Sequence, residues 1–367
     1  MNDGPDVLVL GAGGALGERW MHGVLAGLAH GAGIDFRRCE HLVGTSAGAI
    51  VAASLLAGRA PERPEAGTAP ALPTAAGDKM TGGGPSAGDA VDAGATGAGA
   101  ASTGAAGGGG EAAGEGDAEA GGSEAAGEGG TEAGGGRRGL PARARGVLGV
   151  VPRGAARVAR AAGTPLAPYA LAATRPPGAL LRANVLGRIE RPGATLDELG
   201  RRIARDKLRF DGRLRVVCVE RESGRRVVFG SPGAPSATVA EAVQASCAVP
   251  WLYRPVRIGD REYVDGGLWS PTSIDVAPAG RETRVLCLNP TGSAAGDAAP
   301  HGVIRATSRS AAALEALTLR RRGAEVTIVA PDRPAAAVLA APPGDDDHAA
   351  HAFAAGFRQG LALASAS

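Results

Sequence analysis

The sequence predicts an α/β fold in which helices flank a central, mainly parallel sheet. Short apolar runs that end in glycine alternate with longer runs of helical character, which is the pattern of a parallel sheet with helical crossovers. A Gly/Ala-rich acidic stretch without aromatic residues, 59–136, interrupts this alternation. Such a stretch cannot bury enough apolar surface to become ordered, so we expect a disordered insertion within a single domain formed by 1–58 and 164–367.

The segment 137–163 follows the insertion and holds seven arginines and no acid. It is either a solvated basic linker that balances the acidic insertion or a peripheral contact for anionic lipid headgroups. The formal net charge of the whole chain is only +2, so we expect no nucleic-acid partner.

The cysteines and the N-terminus predict a reduced, cytoplasmic protein with at most peripheral membrane contact. The cysteines lie far apart and form no C-x-x-C pair, which indicates neither a zinc site nor a disulfide framework; they are Cys39, Cys218, Cys247 and Cys287. The polar start of the chain runs directly into an apolar strand without a signal-peptide pattern. No window is long enough to span a bilayer. We expect no metal and no cofactor.

The N-terminal part predicts two strand–helix pairs. "DVLVL" (6–10) is a strand, followed by a helix from Gly17 to about His30. "HLVGTS" (41–46) is a second strand, and a helix of small and apolar residues over 47–58 stops at Gly58.

The C-terminal part continues the alternation. Helices are expected over 195–208 and 238–250, each opened by a capping box, with the pairs Thr195/Glu198 and Thr238/Glu241. Strands are expected over 214–220, 225–230, 283–289 and 324–330, and a hairpin over 254–267 turned at Gly259-Asp260. The apolar segment 165–187 is either a cap over an acyl-chain pocket or ordinary core.

The first candidate site residue is Ser46, at the centre of the G-x-S-x-G pattern formed by Gly44 and Gly48. A sharp turn from strand to helix lifts such a serine out of the sheet, and the glycines let neighbouring backbone pass without a Cβ clash. The helix N-terminus also favours negative charge. The alternative is that Ser46 merely caps the helix.

The glycine-rich strand-to-helix turn in "LGAGGALGERW" (10–20) supplies candidate donors for an oxyanion. The backbone N–H groups of Gly13, Gly14 and Ala15 can form an anion-binding nest. A dinucleotide fingerprint is the alternative, but Leu16 stands where the third glycine belongs. A P-loop is excluded because no Gly-Lys-Ser/Thr follows.

The third candidate is Asp265, which comes after an expected strand and before Gly266 and Gly267. A carboxylate at a strand end can point into a site and act as a base, although Asp-Gly-Gly can also be only a turn. A Ser-Asp-His triad is the competing arrangement. Its histidine would be His301, in an apparent Pro/Gly/Ala loop, or His348 or His351, at the start of an expected terminal helix.

Together, the glycine turn, G-x-S-x-G and a distant D-G-G resemble the patatin-like phospholipase family over residues 5–58 and 164–330. The resemblance implies a three-layer sandwich and a Ser-Asp dyad. It implies that Gly13, Gly14 and Ala15, in the motif that ends at Gly17, bind the oxyanion. It also implies that Ser46 attacks the acyl ester and that Asp265 is the base partner of Ser46.

The resemblance further implies a serine acyl hydrolase, a phospholipase, lysophospholipase or carboxylesterase, that cleaves lipid acyl esters. Leu16 stands where the family pattern has Arg or Lys. Backbone amides do not depend on that side chain, but the difference motivates an alternative function, a catalytically weak or inactive lipid-associated regulatory protein on the same fold.

Overall fold

The computed structural model describes residues 4–61, 178–293, 301–340 and 346–366. These residues all belong to one compact unit of the chain. The Arg-rich linker 137–163 lies outside the described residues, as does the expected insertion 59–136 apart from 59–61. Arg59 forms a two-pronged ion pair with Asp206, with both N–O distances at 2.8 Å. The folded part of the chain therefore extends beyond the expected boundary at residue 58.

Among the described residues, eight strands form one mostly parallel sheet, which confirms the α/β fold class. Five strands run parallel in the order β3-β2-β1-β7-β8. β4 and β6 pair with β3 in antiparallel fashion, and β5 pairs with β6 in the same way. The strands are β1 (Val7–Leu10), β2 (His41–Thr45), β3 (Leu214–Glu220), β4 (Arg226–Phe229), β5 (Val256–Ile258), β6 (Arg261–Asp265), β7 (Arg284–Leu288) and β8 (Glu325–Val329).

Helices connect and cover these strands. They are α1 (Gly14–Ala32), α2 (Ala47–Leu56), α3 (Ala179–Arg188), α4 (Asp197–Ala204), α5 (Val239–Ser246), α6 (His301–Arg320), α7 (Arg333–Ala340) and α8 (Asp346–Ala366). Helix α1 begins at Gly14 rather than at Gly17, because Gly14 has a φ of 61° and turns the chain into the helix directly.

The expectation of a loop at His301 is wrong, because this residue begins α6. The residues before His301 have the composition of a loop, but the residues after it follow the periodic pattern of a helix. Ala312, Ala316 and Leu319 are buried at spacings of four and three residues, so one apolar stripe holds the helix against the sheet.

The two expected capping boxes differ in outcome. Thr238 and Glu241 form the reciprocal box at the start of α5. The box of Thr195 and Glu198 is wrong, because the Thr195 hydroxyl donates to Asp197 at 2.8 Å and Glu198 pairs with Arg201 one turn later. Helix α4 begins at Asp197, so Leu196 rather than Thr195 holds the N-cap position.

The strand side chains divide between two cores. Successive strand residues point to opposite faces of a sheet, so Leu42 faces one cluster together with Trp20, whereas Val43 faces another. The first cluster packs under α1, α2 and α5, and the second packs under α6. Both faces of the sheet are therefore covered, as in a three-layer arrangement.

Strands β2 and β6 lie end to end along one edge of β3. On that edge β2 bonds to the backbone of Arg213 and β6 to that of Arg221, whereas the adjacent Glu220 bonds to the segment that leads into β4. Since successive strand residues direct their backbone groups to opposite edges, β2 and β6 share one edge and β4 takes the other. β2 ends at Thr45 and β6 ends at Asp265, so the ends of these two strands meet.

Candidate active site

Ser46 occupies the sharp turn between β2 and α2. Its backbone has φ 54° and ψ −123°, a conformation that costs a residue with a side chain about 1–3 kcal/mol. The turn is possible because Gly48 packs against the end of β1, where a Cβ would overlap the Leu10 carbonyl oxygen. Gly44 likewise packs against the backbone of Ala49. This is the strained strand-to-helix geometry that presents a nucleophile above a sheet.

The side chain of Ser46 does not cap α2. Ser46 holds the N-cap position, but its hydroxyl makes no capping hydrogen bond. The Ser46 side chain instead lies close enough to Asp265 to lower the pKa of that carboxyl by hydrogen bonding. The alternative that Ser46 is merely a helix cap is therefore wrong.

Asp265 is buried at the end of β6, with 4% of its surface exposed. Its Oδ1 accepts the N–H of Gly267 at 2.7 Å, so the D-G-G segment is a local turn that also directs a carboxylate to Ser46. Burial raises the pKa of Asp265 to about 6, against the lowering effect of the hydrogen bonds from Ser46 and Gly267. Gly266 packs so closely on β3 that a Cβ would overlap the Val217 carbonyl oxygen.

Ser246, the last residue of α5, holds the backbone of the Ser46 turn. Its hydroxyl is fully buried, accepts the N–H of Ser46 at 2.8 Å, and donates to the carbonyl oxygen of Val217 at 2.7 Å. Two residues later, the Ala248 carbonyl accepts the N–H of Asp265 at 3.0 Å. The end of α5 therefore fixes the backbones of both Ser46 and Asp265.

The glycine-rich turn lies beside the Ser46 turn, because β1 and β2 are neighbours with Leu10 opposite Gly44. The N–H groups of Gly11 and Ala12 donate to backbone carbonyls of other segments. The next N–H groups belong to the N-terminus of α1, where the first turn of a helix has no internal acceptors. Gly14 is also exposed.

The N–H groups expected to bind the oxyanion therefore lie at a helix N-terminus. Gly13 is the N-cap of α1, and Gly14 and Ala15 are the first two residues of that helix. Gly13 and Gly17 pack on Pro290, which follows β7, and a Cβ on Gly13 would lie 2.6 Å from the Pro290 Cβ. Such an N-terminus attracts an anion through its free N–H groups and its dipole.

The patatin-like phospholipase family model matches residues 8–278, a range that contains the glycine-rich turn, Ser46 and Asp265. The chain belongs to the patatin-like phospholipase family. The resemblance found in the sequence motifs is thereby confirmed. No curated protein is significantly similar to the chain in sequence. Membership of the patatin-like phospholipases supports lipid acyl hydrolase activity at the level of the family.

Two of the three histidines expected for a triad, His348 and His351, do not join the hydrogen bonds of this patatin-like phospholipase site. His348 and His351 lie in the first turns of α8, as expected, and neither is a partner of Ser46 or Asp265 in the described part of the chain. His301 begins α6.

Helix α3 is attached to the segment that follows Asp265. Two guanidinium groups lie over the Trp269 ring, that of Arg182 4.4 Å and that of Arg226 5.2 Å from its centre. Arg182 is fully buried and donates to the Gly224 carbonyl at 2.9 Å. One face of α3 is therefore part of the core, while the part of the expected cap before residue 178 lies outside the described residues. The role of 165–187 as an acyl-chain cap stays a prediction.

In the ranges that the structure describes, no group of three or more His, Cys, Asp or Glu side chains could hold a metal ion. Nor does any helix there have the length and apolar character needed to cross a bilayer. The four cysteines are free and buried. Cytoplasmic location stays a prediction.

Proposed function

We propose that this protein is a serine acyl hydrolase that cleaves lipid acyl esters through a dyad of Ser46 and Asp265. One observation carries the proposal, the placement of a strained serine beside a buried carboxylate, whose pKa burial raises to about 6 against the lowering effect of the Ser46 side chain. An ordinary Asp, with a pKa of about 3.9, is too weak a base for this task. A raised pKa brings the carboxylate closer to the range in which general bases operate.

In the first half-reaction, Ser46 Oγ attacks the carbonyl carbon of the ester as Asp265 accepts the hydroxyl proton. The N–H groups of Gly13, Gly14 and Ala15 stabilise the resulting oxyanion. The tetrahedral intermediate collapses, the ester C–O bond breaks, and the alcohol leaves with the proton held by Asp265. An acyl group remains on Ser46.

In the second half-reaction, water attacks the acyl carbon and gives its proton to Asp265. The same N–H groups stabilise the second oxyanion. Collapse returns the proton to Ser46 Oγ and releases a carboxylic acid, which restores the free enzyme. We propose that the substrates are acyl esters of phospholipids and lysophospholipids. The enzyme would then be a phospholipase A or a lysophospholipase.

Labelling at Ser46 tests the proposal directly. A fluorophosphonate probe is expected to modify the purified protein at Ser46, as read by peptide mass spectrometry, and to stop turnover of fluorogenic short-chain esters and lysophospholipids. Ser46→Ala is the matched control and is expected to remain unlabelled. Wild-type protein that is neither labelled nor active on any of these esters would instead support the regulatory alternative that Leu16 motivates.

The pH dependence of hydrolysis follows from the raised pKa of Asp265. The base must be ionised to accept a proton, so we expect kcat/KM to be constant above about pH 6 and to fall about tenfold per pH unit below it. Initial rates with a water-soluble, uncharged ester between pH 4.5 and 8 measure this profile. A profile that stays flat down to pH 4.5 would contradict the role of Asp265 as base.

Ser246→Ala tests the positioning of Ser46 by α5. The change removes the acceptor of the Ser46 N–H and leaves the Val217 carbonyl without its donor, so we expect a loss of about 1–3 kcal/mol in unfolding free energy. Because the Ser46 turn is strained, we also expect kcat to fall about tenfold or more with little change in KM.

The matched control for this change is Ser223→Ala. It also removes two hydrogen bonds of a serine hydroxyl, at the β3–β4 turn, with Glu220 and the Arg225 N–H. We expect this variant to keep its kcat. Equal losses of kcat in the two variants would indicate a general effect of destabilisation.

We further propose peripheral contact of 137–163 with anionic lipid, in a cytoplasmic protein. Flotation with phosphatidylserine vesicles is expected to carry the full chain, and deletion of 137–163 to reduce the bound fraction. Unchanged flotation of the deletion variant would support a solvated basic linker instead.

A further inference from the structure

A cleft of about 550 Å³ lies away from the Ser46–Asp265 pair. It is bounded by the start of β3, by β4 with the loop that follows it, and by the segment 275–279. Neither Ser46 nor Asp265 contributes to its lining. Clefts of a few hundred Å³ are the size that accommodates a small organic ligand. This volume is therefore a separate candidate binding site.

The guanidinium of Arg215 lines this cleft with few partners. Its Nη1 donates to the Val276 carbonyl, while the buried Nε has no acceptor among the described residues. Burial is the cause that lowers the pKa of Arg215, and no carboxylate pairs with it in the described ranges. A cation that is partly withdrawn from water without a counter-charge is destabilising. An anionic ligand would supply the missing counter-charge.

The other charged residues of the cleft leave it with a net positive charge. Arg226 is balanced by Asp275, which it contacts with both Nη atoms at 2.7 and 2.8 Å. Arg322 lies at the exposed rim and forms no ion pair within the described ranges. Arg215 and Arg322 thus leave the cleft with two uncompensated positive charges.

The remaining lining of the cleft mixes apolar residues with polar backbone groups. Its apolar members come from β4, from the loop after it and from the segment before β7, among them Val228, Pro232, Ala234, Val276 and Pro278. These apolar residues favour an apolar group next to the anion. The cleft therefore combines the two features that suit an amphiphilic anion.

We propose that this cleft binds a small amphiphilic anion, in which a carboxylate or phosphate is joined to a short apolar chain. The oxyanion pairs with Arg215, since a planar guanidinium matches both groups with two parallel hydrogen bonds. Arg322 adds a weaker attraction from the rim. The apolar chain lies along the Val, Pro and Ala wall. This binding does not depend on the Ser46–Asp265 chemistry.

Calorimetric titration of the full chain with four probes tests the proposal. Octanoate and octyl phosphate, below their micelle concentrations, are expected to bind in the micromolar to low millimolar range. Acetate and inorganic phosphate are expected to bind at least tenfold more weakly, because they lack the apolar chain. The ratio of octanoate to octyl phosphate affinity shows which oxyanion the cleft prefers, and a preference for either one supports the proposal.

Substitutions of the arginines in the cleft show which side chains bind the anion. Arg215→Gln is expected to weaken binding of the better octyl probe at least tenfold, and Arg215→Lys to an intermediate degree because the charge remains without the planar group. Arg322→Gln is expected to weaken binding a few-fold. Arg321→Gln is the matched control, an exposed neighbour outside the lining, and is expected to bind as the wild type does.

Two further measurements separate binding from folding. Circular dichroism and the melting temperature without ligand verify that each variant is folded. Ser46→Ala is expected to bind both octyl probes as the wild type does, because the cleft does not include Ser46. The proposal is overturned if the wild type binds neither octyl probe below about 5 mM, if inorganic phosphate binds as tightly as octyl phosphate, or if folded Arg215→Gln keeps wild-type affinity.

Discussion

Replacing Asp265 with Asn is expected to lower kcat/KM by about a thousandfold and, at pH 8, to make the protein more stable. The loss of activity follows because Asn cannot accept the proton of Ser46, and a positioned general base contributes about 10²- to 10⁴-fold. The gain in stability follows because the ionised carboxylate is buried, with only the hydrogen bonds of Ser46 and Gly267 to offset its desolvation.

The pH dependence of that gain has a definite sign. The pKa of Asp265 is about 6 in the folded protein, above its value of about 3.9 in an unfolded chain. Well below pH 4 the carboxyl is protonated in both states, so it does not change the free energy of unfolding. Between pH 4 and 6 the unfolded chain ionises first, so the fold loses stability as pH rises, by roughly 1–3 kcal/mol in total, and the loss persists above pH 6.

Thermal unfolding of Asp265→Asn and the wild type at pH 4 and pH 8 measures this difference. We expect a higher melting temperature for the variant at pH 8 and only a small part of that gain at pH 4, where Asp265 is about half ionised in the unfolded chain. Ser46→Ala is the matched control, since it abolishes hydrolysis but leaves the buried carboxylate in place, and is expected to show no gain at pH 8. An Asp265→Asn variant that melts lower than the wild type at pH 8, or that keeps a tenth of the activity, would contradict the assignment.

Replacing Gly27 with Ala is expected to destabilise the fold by about 3 kcal/mol or more, although Ala is the better helix former. Helices α1 and α8 approach so closely that a Cβ on Gly27 would overlap the Phe357 carbonyl oxygen and lie 2.8 Å from the Leu361 nitrogen. Both atoms are backbone, so the two helices would have to separate. Overpacking of this kind usually costs about 1–3 kcal/mol, and here no side chain can move aside.

Gly187→Ala is the matched control, because it is the same change in another helix. Gly187 lies in α3 with open space around its Cβ position, so only the helix propensity changes, by about 0.5–1 kcal/mol in favour of Ala. Chemical denaturation of the two variants beside the wild type is expected to show opposite changes in midpoint. Equal midpoints for Gly27→Ala and the wild type would contradict the close approach of α1 and α8.

Some elements of the site could be predicted because their signals are local. The glycines around Ser46 mark a strand-to-helix turn, since a Cβ at Gly48 has no room against β1. The Thr238–Glu241 box was predictable for the same reason, since its partners lie three residues apart. The Thr195–Glu198 box was not, because the spacing does not reveal that Asp197 takes the Thr195 hydroxyl.

Ser246 was missed because its role has no local signature. A serine among small residues at the end of a helix is common, and its importance comes from contacts with Ser46, 200 residues earlier, and Val217, 29 residues earlier. Arg215 was also missed, since a single arginine in a strand carries no sign that its guanidinium will lose water without gaining a carboxylate.

The α/β class, the strands, the turn at Ser46 and the family follow from the amino-acid sequence, because periodicity, glycine spacing and ordered motifs are properties of neighbouring residues. The end-to-end meeting of β2 and β6 on β3, which brings Ser46 to Asp265, arises only in the folded molecule. The folded molecule also decides how deeply that carboxylate is buried, and hence its pKa. These outcomes depend on strand pairing between distant segments and on the exclusion of water, and neither is encoded in any one stretch of the chain.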